Sequence, residues 1–223
     1  MESGQPASIS ETTCTAGESA PPGAQPPRRS RGDLVMDVAA ALVWAALAFI
    51  NFGRFLYYDR SLLDINLFLF NTLVTWSFLR RRPAVRKGAP WESILALGGT
   101  FAPFVVFHPA NRGLPVAGTA VQSVAGIGVI AALGSLRRSF GLAPADRGLV
   151  TQGLYRFVRH PLYATELVFY LGYCIGNLSW ANLAGLALLA MIQVTRLLRE
   201  ERVISGYEGY SRQVRWRLIP WIF

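Results

Sequence analysis

The last apolar run of this chain, from about Leu162 to Leu198, constrains its fold more than any other feature. As one helix it would extend roughly 55 Å, far beyond a hydrocarbon core of ~30 Å. The stretch Gly176-Asn177-Leu178-Ser179-Trp180-Ala181-Asn182 puts turn-forming residues at its middle. We read a tight helical hairpin there, which must return to the side it left. Four more apolar blocks precede it, at about Leu34–Tyr57, Leu62–Leu79, Trp91–Phe107 and Leu114–Leu136. Each is long enough to span a bilayer at 1.5 Å per residue.

The charges between blocks supply an independent test. Arg28, Arg29 and Arg31 precede the first block, and Arg80, Arg81, Arg82, Arg86 and Lys87 follow the second. Arg137, Arg138, Arg147, Arg156 and Arg159 follow the fourth, and Arg199, Arg202, Arg212, Arg215 and Arg217 end the hairpin. The alternate loops hold only Asp59 with Arg60, then His108 with Arg112, then no charge. Positive loops stay inside, so both termini are expected in the cytoplasm after an even number of spans. The fold class that follows is all-α: a polytopic membrane helical bundle of about six transmembrane helices, with a C-terminal helical hairpin and a short cytoplasmic cap. Residues 1–33, rich in Pro, Gly, Ser and Ala, read as a disordered cytoplasmic N-terminus. Residues 34–136 read as four transmembrane helices, and residues 137–223 as a cofactor-binding loop, hairpin and cap.

Composition excludes several alternatives. With 52% hydrophobic and 16% charged residues, the chain is too apolar for an ordinary soluble domain. Its net charge of +9 sits in short clusters between apolar blocks, which suits anionic membrane lipids and argues against nucleic acid. Cys14 and Cys174 form no disulfide framework or metal-ligand spacing, so no metal is expected. Glycines 118, 126, 128 and 134 in the fourth block permit close helix packing. Asp64, Asn66, Asn71, Gln122 and Gln193 are polar residues inside apolar blocks, but they form no evident relay for a transporter. Glu166, about one turn into helix five, reads as a side chain reaching the interface.

The chemistry gathers where the hairpin begins and ends. Arg147-Gly148-Leu149-Val150 and Tyr155 precede Val158-Arg159-His160-Pro161-Leu162-Tyr163, and the returning helix carries Arg196, Glu200 and Glu201. Pro161 disfavours helix at His160 but suits a first helical position, so helix five should start there. Its free N–H groups favour an anion. Arg196 and Glu200, four apart, share one helix face. Glu200 can hold an ammonium and Arg196 a carboxylate, while Tyr155, Phe157 and Tyr163 can wall an aromatic base and a sulfonium.

The ordered set Val150-Thr151-Gln152-Gly153-Leu154-Tyr155, Val158 to Tyr163, Glu200-Glu201 and Arg217-Leu218-Ile219-Pro220 resembles the isoprenylcysteine carboxyl methyltransferases and the related phospholipid methyltransferases. The resemblance covers about Ser139 to Pro220. It implies a pocket for S-adenosyl-L-methionine, roofed by the C-terminal tail and contacted by Arg147, Gly148, Leu149, Val150, Tyr155, His160, Pro161, Leu162, Tyr163 and Glu200. It also implies Arg196 near the methyl-accepting group, with Glu200 or Glu201 as the base if the acceptor is an amine. Ala164 stands where the family has glycine, and the segment from Glu201 to Tyr207 is shorter than usual. The expected activity is methylation of a lipid-like or isoprenoid-type acceptor at a carboxylate, which needs no base at pH 7. Rival readings are an NADPH-dependent sterol-type reductase and a non-catalytic membrane sensor. Ala, Gly and Arg richness favours a bacterial inner membrane.

Overall fold

A computed structural model describes residues 29–58 and 60–223. The expectation of disorder for the N-terminus therefore falls, up to residue 28, outside the described residues, as do Cys14, Arg28 and Asp59. The helices are α1 (Arg31–Tyr57), α2 (Leu62–Arg80), α3 (Pro90–Val106), α4 (Pro115–Leu136), α5 (Pro161–Gly176), α6 (Trp180–Val203) and the short α7 (Tyr207–Gln213). Local chemistry sets their starts. Ser30, Ser61 and Ser179 cap α1, α2 and α6, each side chain accepting a backbone N–H three residues on. Each such cap contributes about 1 kcal/mol. Pro90, Pro115 and Pro161 open α3, α4 and α5, where the missing N–H costs nothing.

The architecture is an all-α membrane bundle. Among the described residues, four helices are long and apolar enough to cross a membrane: α1, α2, α4 with its 3-10 extension to Ser139, and α6. α3 and α5, with 17 and 16 residues, rise only about 26 and 24 Å. Apolar side chains such as Phe49, Ile94, Val105, Val116 and Val124 are exposed on the outer faces, as lipid contact requires.

Neighbouring helices run in the spatial order α1, α2, α4, α5, α6, α3. The hairpin and its predecessor make the tightest pair. A Cβ placed on Gly118 would lie 2.5 Å from Gly176 N, and one on Gly172 would lie 2.9 Å from Gln122 N. Only glycine permits that approach. Gly126 and Gly128 also face neighbours, whereas Gly134 faces open space. Ala41, Trp44, Val74, Phe78, Leu133 and Phe140 form the core joining α1, α2 and α4.

The two ends of the bundle differ in chemistry. At the arginine-rich end, Arg29 and Arg81 both pair with buried Asp37. At the other end, Asn182 ties the α3–α4 loop to the hairpin turn, accepting from His108 N at 3.0 Å and donating to Asn177 O at 2.6 Å. A two-residue antiparallel pair, β1 (Arg86–Lys87) with β2 (Ala145–Asp146), joins the α2–α3 loop to the α4–α5 loop. α7 and the tail lie over the α4–α5 loop.

Candidate active site

The α4–α5 loop carries most of the site, and Asp146 fixes its shape. That carboxylate is 4% exposed and accepts from Gly148 N and from Ser205 N, each at 3.0 Å. Burial pushes its carboxyl up, but hydrogen bonds from Ser205 and Gly148, aided by the charge of Arg86, outweigh that and hold it below the usual range. Gly148 has φ +96°, a conformation that glycine adopts without strain. The chain is thereby turned so that Arg147 lines a cavity between the helices.

This cavity has a volume of about 300 Å³ and runs from the loop down between the helices. Arg147, Gly148, Leu149, Val150, Tyr155, His160, Leu162, Tyr163, Arg196 and Glu200 all line it. Topology explains the convergence. The hairpin returns α6 to the end where α5 begins, so Tyr163 of α5 donates to Glu200 of α6 at 3.0 Å. The Arg196 guanidinium lies 5.2 Å from the centre of the Tyr163 ring.

The charges at the mouth are unusual in their lack of partners. Among the described residues the Arg147 guanidinium makes no hydrogen bond or ion pair, and its Nε is buried. Burial lowers its proton affinity, opposed by the charges of Asp33 and Glu200. Glu200 accepts from Tyr163 yet, among the described residues, has no cation within 4 Å. Among the described residues, the cavity lining thus carries a cation without an ion-pair partner and an anion without one. Arg196 donates to Gln193 Oε1 at 3.0 Å and Leu142 O at 2.9 Å, leaving its buried Nε–H unpaired.

Glu201 is placed very differently. It accepts from Tyr207 Oη at 2.9 Å and from Arg217 Nε at 3.0 Å, with His160 Nε2 at 3.3 Å and Arg159 Nη1 at 3.7 Å. Tyr207 gives its one proton to Glu201, so the 3.0 Å contact between Tyr207 Oη and His160 Nε2 assigns a proton to that nitrogen. Burial, and then the carboxylate beside it, push the Tyr207 phenol up, so it stays a donor. Arg159 donates to Val214 O, Ser211 O and Arg215 O, and His160 N to Arg217 O at 2.9 Å. These bonds strap the tail over the loop, and Tyr207 and Tyr210 roof the cavity. Glu201 and Pro161 are not among its walls.

Three sequence readings are revised. Phe157 does not wall the cavity: it is 58% exposed, with the Arg156 guanidinium 4.7 Å from its ring. Glu166 does not reach out to the interface; it accepts from Gln193 Nε2 at 2.6 Å and lines the cavity. The polar residues inside the apolar blocks are not all bystanders, since Asn66 and Asn71 line the cavity too. Asp146, the residue that pins the loop, carried no motif signal.

Residues 113–208 match the family model described as Phospholipid methyltransferase. No curated protein matches the chain. The match begins before α4 and ends within α7, so it takes in more of the bundle than the motif resemblance did. It covers the helix, the loop and the hairpin that enclose the mouth of the cavity, so this segment of the chain is similar to the phospholipid methyltransferases.

Proposed function

We propose that the protein is an S-adenosyl-L-methionine-dependent methyltransferase acting on a lipid-like acceptor at a carboxylate. The observation that carries this reading is that Arg147 and Glu200 both line the cavity and neither forms an ion pair among the described residues. A zwitterionic amino-acid group complements both charges at once, Arg147 taking its carboxylate and Glu200 its ammonium. Bound there, S-adenosylmethionine supplies a methyl group already activated by its sulfonium. Tyr155 and Tyr163 offer aromatic faces to that positive charge. The roof of Tyr207 and Tyr210 excludes water, and alignment within a dry cavity is the main source of rate.

The acceptor is held further in. Arg196, with a spare Nε–H, orients an ionised carboxylate, which needs no base at neutral pH. α1 and α2 do not pack on α3, although Leu47, Phe70 and Phe104 from these three helices all line the cavity. We assign the entry of an acceptor from the bilayer to that gap. Residues 137–223 then form the methyltransferase core, and the first four helices shape the acceptor chamber. Among the described residues every arginine-rich loop lies at one end of the bundle, which supports six crossings and both termini in the cytoplasm. The Ala, Gly and Arg richness favours a bacterial inner membrane as the setting.

One observation favours a second acceptor chemistry. Glu166 places a carboxylate in the cavity near Arg196, and an amine acceptor would lose its proton to such a base. Glu166→Gln separates the two, sparing turnover of a carboxylate acceptor and abolishing that of an amine.

The first test is calorimetric titration of S-adenosylmethionine into detergent-purified protein beside the Glu200→Ala variant. Micromolar binding that the variant loses supports the site. No binding, or binding of NADPH in its place, defeats it and returns the reductase or the sensor.

A further inference from the structure

Below Arg196 the cavity is walled mainly by apolar side chains, among them Leu47, Leu67, Phe70, Val74 and Phe104. Three amides interrupt that wall: Asn51 of α1 and Asn66 and Asn71 of α2. By helical rise, Asn71 and Asn66 lie about 14 and 21 Å from the arginine-rich end of α2. Asn66 donates to Ser123 O of α4 at 2.9 Å, and Asn51 donates to Leu47 O at 2.8 Å. Those carbonyls can only accept, so the amide orientations are fixed, and among the described residues each Oδ1 is left without a donor. Asn71 is 4% exposed, and among the described residues its side-chain amide has no hydrogen-bond partner. An amide serving only as glue between helices would look like Asn66 and bridge to a neighbour. Asn71 bridges to nothing and opens on the cavity. The unused valences are carbonyl oxygens and N–H groups alike, so what they lack is a group that both donates and accepts a hydrogen bond in otherwise apolar surroundings, as a hydroxyl does.

We propose that the inner chamber takes an amphiphile bearing a hydroxyl within its apolar body, recognised by Asn71 with the carbonyl oxygens of Asn66 and Asn51. This rests on the cavity being the acceptor chamber of the methyltransferase, and it narrows the acceptor from any lipid to a hydroxylated one. Asn71 is a specificity residue, distant from the reacting atoms. The chamber would discriminate by differential binding, since a plain chain leaves the amides buried and unpaired.

The test uses full-length protein in detergent and two probes, octadecanoate and 10-hydroxyoctadecanoate, with binding read by calorimetry. The wild type should bind the hydroxylated probe about tenfold more tightly. Asn71→Leu should lose that preference while binding octadecanoate at least as well, which also shows that the variant is folded. Equal affinities in the wild type, a preference unchanged in Asn71→Leu, or no binding of either probe would overturn the proposal. Titration of S-adenosylmethionine into the same samples keeps that failure distinct from failure of the methyltransferase reading.

Discussion

Arginines 147 and 159 sit in one loop and have opposite fates. Arg159 spends its donors on the carbonyls of Val214, Ser211 and Arg215. Arg147 spends none on the described protein. A partly buried charge without a partner costs free energy, and substitution by an apolar residue of similar length removes that cost. Arg147→Met is therefore expected to raise the melting temperature of the ligand-free protein slightly and to weaken S-adenosylmethionine binding about 10- to 100-fold. Arg159→Met should do the reverse, lowering the melting temperature by freeing the tail. Melting curves with and without S-adenosylmethionine measure both. A destabilised Arg147→Met with unchanged affinity would make Arg147 a structural residue. Glu201→Gln belongs with Arg159: it removes the carboxylate from Arg217 and Tyr207 and is expected to cost roughly 3 kcal/mol of stability.

At the scale of elements, helix existence was legible because a span is a local property. Block lengths placed the helix ends to within a few residues, and Pro161 marked the start of α5. Spatial order was not legible, since hydropathy names no partner and α3 packs on α6 although α4 and α5 lie between them in the sequence. The mouth of the cavity was legible for the same local reason: the hairpin had to bring Tyr163 and Glu200 to one end. Glu166 and Asn71 were not, because a polar residue in an apolar block can face lipid, a neighbour or a cavity, and packing alone decides. Asp146 was hidden in another way, as its partners are the backbone N–H groups of Gly148 and of distant Ser205. Its lowered carboxyl pKa sets a pH dependence. A carboxylate held below its ordinary value contributes stability in full above that value and loses it as pH falls through the folded-state value. The melting temperature of Asp146→Asn should thus lie a few degrees below wild type at pH 7. That gap should close as both are acidified below the ordinary carboxylate range. A gap independent of pH would mean that the Asp146 charge contributes nothing to the loop.

For the whole molecule, the open matter is how α3 and α5 meet the membrane. Among the described residues four helices are long enough to cross, and α3 and α5 are short by a few residues. If α3 and α5 do not cross, α4 must enter from the side on which α2 ended. The α3–α4 loop would then share a side with α7. If they cross, the loop lies opposite α7, and the arginine-rich ends of all six helices share one face, as positive loops require. Local thinning of the bilayer, at a fraction of a kcal/mol per Å, accommodates helices about 4 to 6 Å short of a ~30 Å core. Asn182 supports crossing as well, because its bonds to His108 and Asn177 hold the α3–α4 loop against the hairpin turn. Arg112 and Arg212 are both exposed and report on the two sides. With Cys14 replaced by serine and Cys174 buried at 1% exposure, Arg112→Cys and Arg212→Cys each carry one reactive thiol. A membrane-impermeant maleimide is expected to label Arg112→Cys in intact cells and Arg212→Cys only in inverted vesicles. Labelling of both from the same face would reduce the crossings to four. It would also put the α4–α5 loop on the opposite side from α7, breaking the cavity that the two enclose together.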